Sequence, residues 1–435
     1  MTKCTSTNFD FPACKSRKIS IDFSGGNITS NGGVLLLKQA DTKLGLTRAA
    51  TKSIPDTRRQ ASVSHTIEQM FRQRVYAIGC GEEDLNDHDE LRHDIALQTA
   101  VGCDRALASS STLCRFENTA QRKAAVEMNA LLVDRFIASH TVPPKEIILD
   151  FDATDDPVHG NQEGRFFHGY YDHYCFLPLY VFCGSQLLCA YLRPSKIDGA
   201  KHAWAILALL TQRIRQSWPD VKIIFRGDSG FCRWKMLRWC ESHKVDYIVG
   251  LGGNARLKRL GFALIEQAEA DFEQTEEKQR LFGMFKYAAA TWDRERRVII
   301  KAEHTIQGAN TRFILTSLKG DAQRLYDEIY CARGDMENRI KEQQLDLFAD
   351  RTSCHNWWPN QLRLLLSSFA YVLYDHIRRT ALKNTRLAHA TSATIRNKLI
   401  RIGAVITRNT RRIRFHLSTA YPRKELFALV AARLQ

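Results

Sequence analysis

None of the twelve cysteines in this 435-residue chain sits in a C-x-x-C pair or in the Cys/His spacing of a zinc module. They therefore read as reduced, mostly buried thiols of a cytosolic protein rather than as zinc ligands or disulfide staples. No apolar run is long enough to span a membrane: Cys175 to Leu192 comes nearest, and Pro178 and Gly184-Ser185-Gln186 break it into a hairpin. The opening M-T-K-C-T-S-T-N-F-D-F lacks the apolar stretch of a signal peptide, so a cytoplasmic protein is expected. Low-complexity tracts are absent, which excludes a largely disordered chain. Acids are the scarcer charge, 47 Asp and Glu against 63 Lys and Arg, for a net +16. That excess favours a polyanionic partner, most commonly nucleic acid. Much of it is local. From Arg378 to Arg414 eleven Lys and Arg residues occur without one acid, and Arg411, Arg412 and Arg414 at its end are candidate DNA-phosphate contacts.

The length exceeds one ordinary core, so several domains are expected. Residues 1–140 predict a strand pair (K-I-S-I-D-F and G-V-L-L-L-K) and then a helical DNA-binding region, with helices over Val63–Ile78, Asp84–Val101 and Ser111–Ile137. The link G-C-D-R-A-L-A-S-S would suit a helix-turn-helix capped by Ser111 or Thr112, with Arg115 in the first turn; a plain packed pair is the alternative. After Pro143-Pro144 come strands 147–152, 173–183 and 186–192, a helix Lys201–Trp218, strand 221–226, a helix Phe231–His243 and strand 245–251. This order predicts an α/β fold with a ribonuclease-H-like mixed sheet, formed by residues 141–252 and 321–360. Residues 253–320 break the alternation and are expected to form a β-rich insertion with a separate antiparallel sheet. A long helix is expected from Ala322 to about Asp350, and residues 361–435 as a helical, basic carboxyl-terminal region.

The stretch Ile147–Asp156, I-I-L-D-F-D-A-T-D-D, ends an apolar run in four carboxylates. On a strand, alternation sends Ile147, Leu149 and Phe151 to one face and Ile148, Asp150 and Asp152 to the other. Acids at the carboxyl end of a strand lie where open sheets bind ligands, and a hard cation is the natural compensation for their repulsion. A solvated Asp-rich turn is the alternative. Asp228 lies in F-R-G-D-S-G-F at the end of another strand. Along a helix, Tyr330, Arg333, Glu337, Lys341 and Gln344 recur at three-to-four spacing and share a polar face. A salt-bridged surface is the plainer reading of that ladder.

The ordered set Asp152, Asp228 and Glu337 resembles the DDE triad of bacterial insertion-sequence transposases, relatives of retroviral integrases. The spacing of Tyr330, Arg333 and Glu337 is similar to the Tyr-Arg-Glu signature of the branch with a β-rich insertion before its catalytic Glu. D-A-T-D-D, R-G-D-S-G-F and R-G-D-M-E-N-R-I-K-E, with F-E-N upstream and N-Q-L-R-L-L-L downstream, extend the resemblance over nearly the whole chain. It implies DNA cleavage and strand transfer with two Mg²⁺ or Mn²⁺ ions, Asp152 bridging both and Asp228 and Glu337 completing one site each. Tyr330 and Arg333 would hold a phosphate near the cut end. Where the signature has lysine this chain has Gln344, and Lys341, one turn earlier, would substitute. Asp150 is the fallback ligand, and Trp292 would stack on a displaced base. The implied partners are double-stranded DNA, as terminal inverted repeats and target, and a second copy of the chain in a homodimeric synapse. A ribonuclease-H-like nuclease that cuts without joining and an inactive DNA-binding descendant remain open.

Overall fold

The structure, a computed structural model, describes residues 8–435, so part of the amino-terminal stretch discussed above lies outside the described residues. It divides into two compact units: the chain up to Thr51 with Pro55–Phe116 and Phe369–Gln435, and Lys52–Ile54 with Glu117–Ser368.

The larger unit is built on a nine-stranded mixed sheet. The strand Glu146–Ala153 lies inside it, parallel to Lys222–Gly227, which is parallel in turn to Val245–Leu251. On its other side Leu179–Cys183 and Gln186–Tyr191 add antiparallel strands. Alternation decides which core each residue enters. Ile147, Leu149 and Phe151 join a cluster with Leu207, Ile214, Phe225 and Val249, whereas Ile148 packs with Ile224, Ile248 and Tyr326 on the opposite face. The sheet is thus covered on both sides, as its near-continuous apolar strands require.

The separate antiparallel sheet expected within residues 253–320 is not formed. Arg312–Thr316 pairs directly with Val245–Leu251, and Arg296–Thr305 and Gln279–Tyr287 continue the same sheet outward. Phe313, Ile314, Leu315 and Thr316 are all buried, so this strand needs cover on both faces and neighbours on both edges, which a small two-faced sheet would not supply. The expected strand 173–183 is two, His173–Phe176 and Leu179–Cys183, because Pro178 has no N–H for the ladder. The first joins Phe166–His168 and Asp156–Pro157 in a small sheet of its own. The long helix after Ala322 is composite: Gly334–Lys341 is α-helical, but Leu325–Tyr330 and Glu342–Asp346 are π-helical turns and Cys331–Arg333 a 3-10 turn. Each change of pitch shifts the face on which later residues fall.

In the smaller unit, G-V-L-L-L-K belongs to the helix Val34–Leu44 rather than to a strand. Val34, Leu37, Ala40 and Asp41 are buried at three-to-four spacing, a period that the first six residues alone do not reveal. A Cβ on Gly33 would lie 1.8 Å from the Leu399 carbonyl oxygen, so glycine is required where the chain enters this helix. Ile67–Cys80 begins in a capping box made by Thr66 and Gln69. The two helices expected next are both broken, into His88–Leu91 and Ile95–Val101, and into Ser110–Glu117 and Arg122–Ala138, the last of which belongs to the larger unit. The basic carboxyl-terminal segment is not wholly helical. Ala404–Arg408 and Ile413–Leu417 form a hairpin that pairs with Ile28–Thr29, its inward Ala404 and Ile406 buried and its Arg-rich tip exposed. Among the described residues no helix is long and apolar enough to cross a membrane.

Candidate active site

Register brings the first two acids to neighbouring strand ends. In the parallel ladder Arg226 stands opposite Asp150 and Gly227 opposite Phe151, so Asp228 follows Gly227 where Asp152 follows Phe151. Asp228 caps a 3-10 turn, accepting from the Gly230 amide at 2.9 Å. The Ala153 amide donates to Asp152 Oδ1 at 2.9 Å. Arg333 supplies the link to the third acid: its Nη1 lies 3.5 Å from Asp152 Oδ2 and its Nη2 2.6 Å from Glu337 Oε1. One guanidinium therefore lies across both carboxylates. Burial raises the Asp152 pKa to about 7; Arg333 opposes that rise, and the charges of Asp228 and Glu337 add to it. The Arg333 pKa is raised: burial works against its charge, but Asp152 and Glu337 outweigh it.

Below this set, Asp150 and Arg226 are both buried and form a bidentate ion pair, with Nη2 to Oδ2 at 2.6 Å. Arg226 Nη1 also donates to the Ile329 carbonyl, in the turn that leads to Tyr330 and Arg333. A single side chain thus ties together the Asp152 strand, the Asp228 strand and the segment carrying the third acid. Asp150, the fallback ligand, is committed to this contact, and burial raises its pKa against the pull of Arg226. Sequence reasoning missed the role of Arg226, although a charge directly after the apolar run I-I-F was a visible signal.

Tyr330 and Arg333 line a cavity of about 400 Å³ together with Ser229, Gly250 and Thr311. Gly250 is required there, since a Cβ would stand 2.7 Å from both Tyr330 Oη and the Ser229 nitrogen. Burial raises the Tyr330 pKa, so its hydroxyl stays a neutral donor.

The chain matches the family described as "Transposase DDE domain group 1" over residues 11–435. It belongs to that family of DDE transposases. No curated protein matches it. Among solved structures it is similar to one titled "Cryo-EM structure of piggyBac transposase synaptic complex with hairpin DNA (SNHP)", at 11% identity over 84% of this chain and 79% of that one. The TM-score of that match is 0.44.

Divalent cations are the general cofactors of DDE transposases. The donor types suit them: carboxylates are the ligands a hard cation prefers, and a cation would relieve the burial and like-charge repulsion that raise the Asp152 pKa. Among the described residues, however, no three His, Cys, Asp or Glu side chains are gathered closely enough to hold an ion, and Arg333 occupies carboxylate oxygens that an ion would take.

The remaining sequence candidates lie elsewhere. Lys341 is exposed. Gln344, carried round by the π-helical turn, donates to the Asp155 carbonyl at 2.9 Å. The half-buried Trp292 packs edge-on against Tyr287 at 5.5 Å, with the Arg296 guanidinium 5.5 Å from its centroid. Arg411, Arg412 and Arg414 are exposed at and beside the tip of the carboxyl-terminal hairpin, in the smaller unit. Other members of the basic tract have structural work. Arg378 and Arg379 lie 3.9 and 2.7 Å from Asp375, and Arg401 3.5 Å from Glu82.

Proposed function

We propose that this chain is the transposase of a bacterial insertion sequence, from the branch with the Tyr-Arg-Glu signature. In this reading it binds the element's terminal inverted repeats as a homodimer, cuts at their ends and joins the 3′ ends to target DNA. The observation that carries the reading is the set of Asp152 and Glu337 bound by one guanidinium, with Asp228 at the neighbouring strand end.

Asp152, Asp228 and Glu337 are the residues that would hold Mg²⁺ or Mn²⁺, which supply activation of water or a 3′-hydroxyl and stabilisation of the leaving oxygen. Asp152 must first give up its proton, since its carboxyl titrates near 7. Arg333 exchanges its carboxylate partners for phosphate oxygens, because the same planar fork matches both bidentately. Tyr330, on the same cavity wall, donates its hydroxyl to a phosphate oxygen. The chemistry requires no covalent intermediate on the protein. Arg411, Arg412 and Arg414 add phosphate contacts outside the site.

A labelled duplex ending in the element's own repeat tests the reading, with Mg²⁺ or with chelator. Metal-dependent cutting at the repeat boundary followed by joined products supports it. Cutting without joining reduces the protein to a nuclease, and binding without cutting under any divalent ion refutes the reading.

A further inference from the structure

Four residues after Asp152, the chain enters the small sheet of Asp156–Pro157, Phe166–His168 and His173–Phe176. Its segment R-F-F-H-G-Y-Y-D-H-Y has the densest run of aromatic rings in the sequence. Unlike core rings, these face solvent: Phe167 is 53% exposed, Tyr170 84% and Tyr174 47%. Phe167 and Tyr174 stand opposite each other across the ladder, rings 5.7 Å apart, and Tyr170 leans edge-on against Tyr171 at 5.0 Å. Cations are interleaved with them. The Arg165 guanidinium lies 4.5 Å over the Tyr174 ring and the Lys196 ammonium 5.3 Å over the Phe166 ring.

The inner end of this hairpin is tied to the segment that follows Asp152. His173 Nε2 is 2.8 Å from Asp155 Oδ2, and the Asp155 carbonyl also accepts from Gln344. Asp155 is separated from Asp152 by at most about 10 Å of extended chain. Solvent-facing rings with two cations beside them suit a nucleic-acid strand whose bases are unpaired, since bases have faces to stack and phosphates a charge to neutralise. A duplex, with its bases already stacked, would use only the cations.

We propose that this hairpin is a stacking platform for unpaired DNA bases beside the cut, with Phe167, Tyr170 and Tyr174 taking bases and Arg165 and Lys196 taking the flanking phosphates. The proposal rests on the transposase reading for its DNA substrate. Trp292 is half-buried beside Tyr287 and Arg296, whereas Tyr170 is 84% exposed and presents more of its ring to a base.

The test is fluorescence anisotropy of a labelled dT20 strand and of a labelled 20-base-pair duplex at one salt concentration, with the full chain and its Tyr170→Ala and Tyr170→Phe variants. Tyr170 is mostly exposed, so its truncation leaves folding intact. Single-strand affinity is expected to fall about tenfold in Tyr170→Ala, within the range of one stacked base, and to recover in Tyr170→Phe, with duplex affinity unchanged in both. Equal losses for strand and duplex, or no loss for either, overturn the platform. So does a change confined to the oligomeric state in sedimentation, which makes the face a protein interface. Cutting of the repeat-ended duplex by the parent is scored separately. A parent that passes the strand test but never cuts keeps the platform and loses the transposase reading.

Discussion

Removing Asp150 alone should cost far more stability than its neighbourhood of acids suggests. The Asp150 side chain is 3% exposed and that of Arg226 7%, so Asp150→Ala leaves a guanidinium buried and unpaired, a defect worth about 3–5 kcal/mol. Arg226→Met exposes the same weakness from the other side and also frees the Ile329 carbonyl. Replacing both residues together, Asp150→Leu with Arg226→Met, removes both charges. It should cost only the roughly 1–3 kcal/mol of the orphaned carbonyl, well below the sum of the single changes. The same two strands supply a control. Lys222 and Glu146 pair at their exposed end, 2.7 Å apart with side chains 46% and 43% exposed, so Glu146→Ala should cost less than about 1 kcal/mol. Urea denaturation of the four variants and the parent measures each difference. Single changes at Asp150 and Arg226 costing no more than Glu146→Ala, or a double change equal to their sum, would refute the claim that this pair locks the register of the two acid-bearing strands.

With chelator present, Asp152 should make the protein less stable as pH rises. Its native pKa near 7 lies above the ordinary value of about 3.9, so between those values the native state keeps a proton that the unfolded chain has lost. Asp152→Asn should therefore show a melting-temperature gain over the parent that grows from pH 5 to pH 8, and a constant difference would contradict the raised pKa. By the same titration, Mn²⁺ affinity measured by calorimetry should climb through pH 7 in the parent as that proton becomes easier to release. Gly250→Ala should push Tyr330 and the Ser229 backbone apart, costing about 1–3 kcal/mol and lowering cleavage while duplex binding persists; unimpaired cleavage in a kinetic assay would remove Tyr330 from the site. Replacing Arg411, Arg412 and Arg414 by Ala should flatten the salt dependence of duplex binding by about 0.9 in logarithmic slope for each phosphate no longer neutralised. An unchanged slope would take the hairpin tip off the DNA.

The Asp152 strand was legible because alternation is a local property: Ile147, Leu149 and Phe151 enter one core and Ile148 the other, as period two requires. The contact between Arg226 and Asp150 was not, since it depends on the register of strands 76 residues apart. The polar helix face was legible in part, because Arg333 and Glu337 stand one turn apart and pair, whereas the π-helical turn that holds Gln344 leaves no mark in a three-to-four pattern. Val34–Leu44 was misread for a different reason: a short apolar run fits strand and helix alike until its later residues are counted. The basic tract was read within its own limits, yet Asp375, just outside them, neutralises Arg379. The aromatic hairpin escaped notice because its rings follow neither period and pack into neither core.

If Asp152, Asp228 and Glu337 act as one catalytic set, single-turnover cleavage of the repeat-ended duplex by Asp152→Asn, Asp228→Asn and Glu337→Gln will show it. Each variant should bind the duplex with parental affinity and cut at least about a hundredfold more slowly, as expected when charge stabilisation at the reacting phosphate is removed. A variant that binds normally and cuts at the parental rate would remove that acid from the active site.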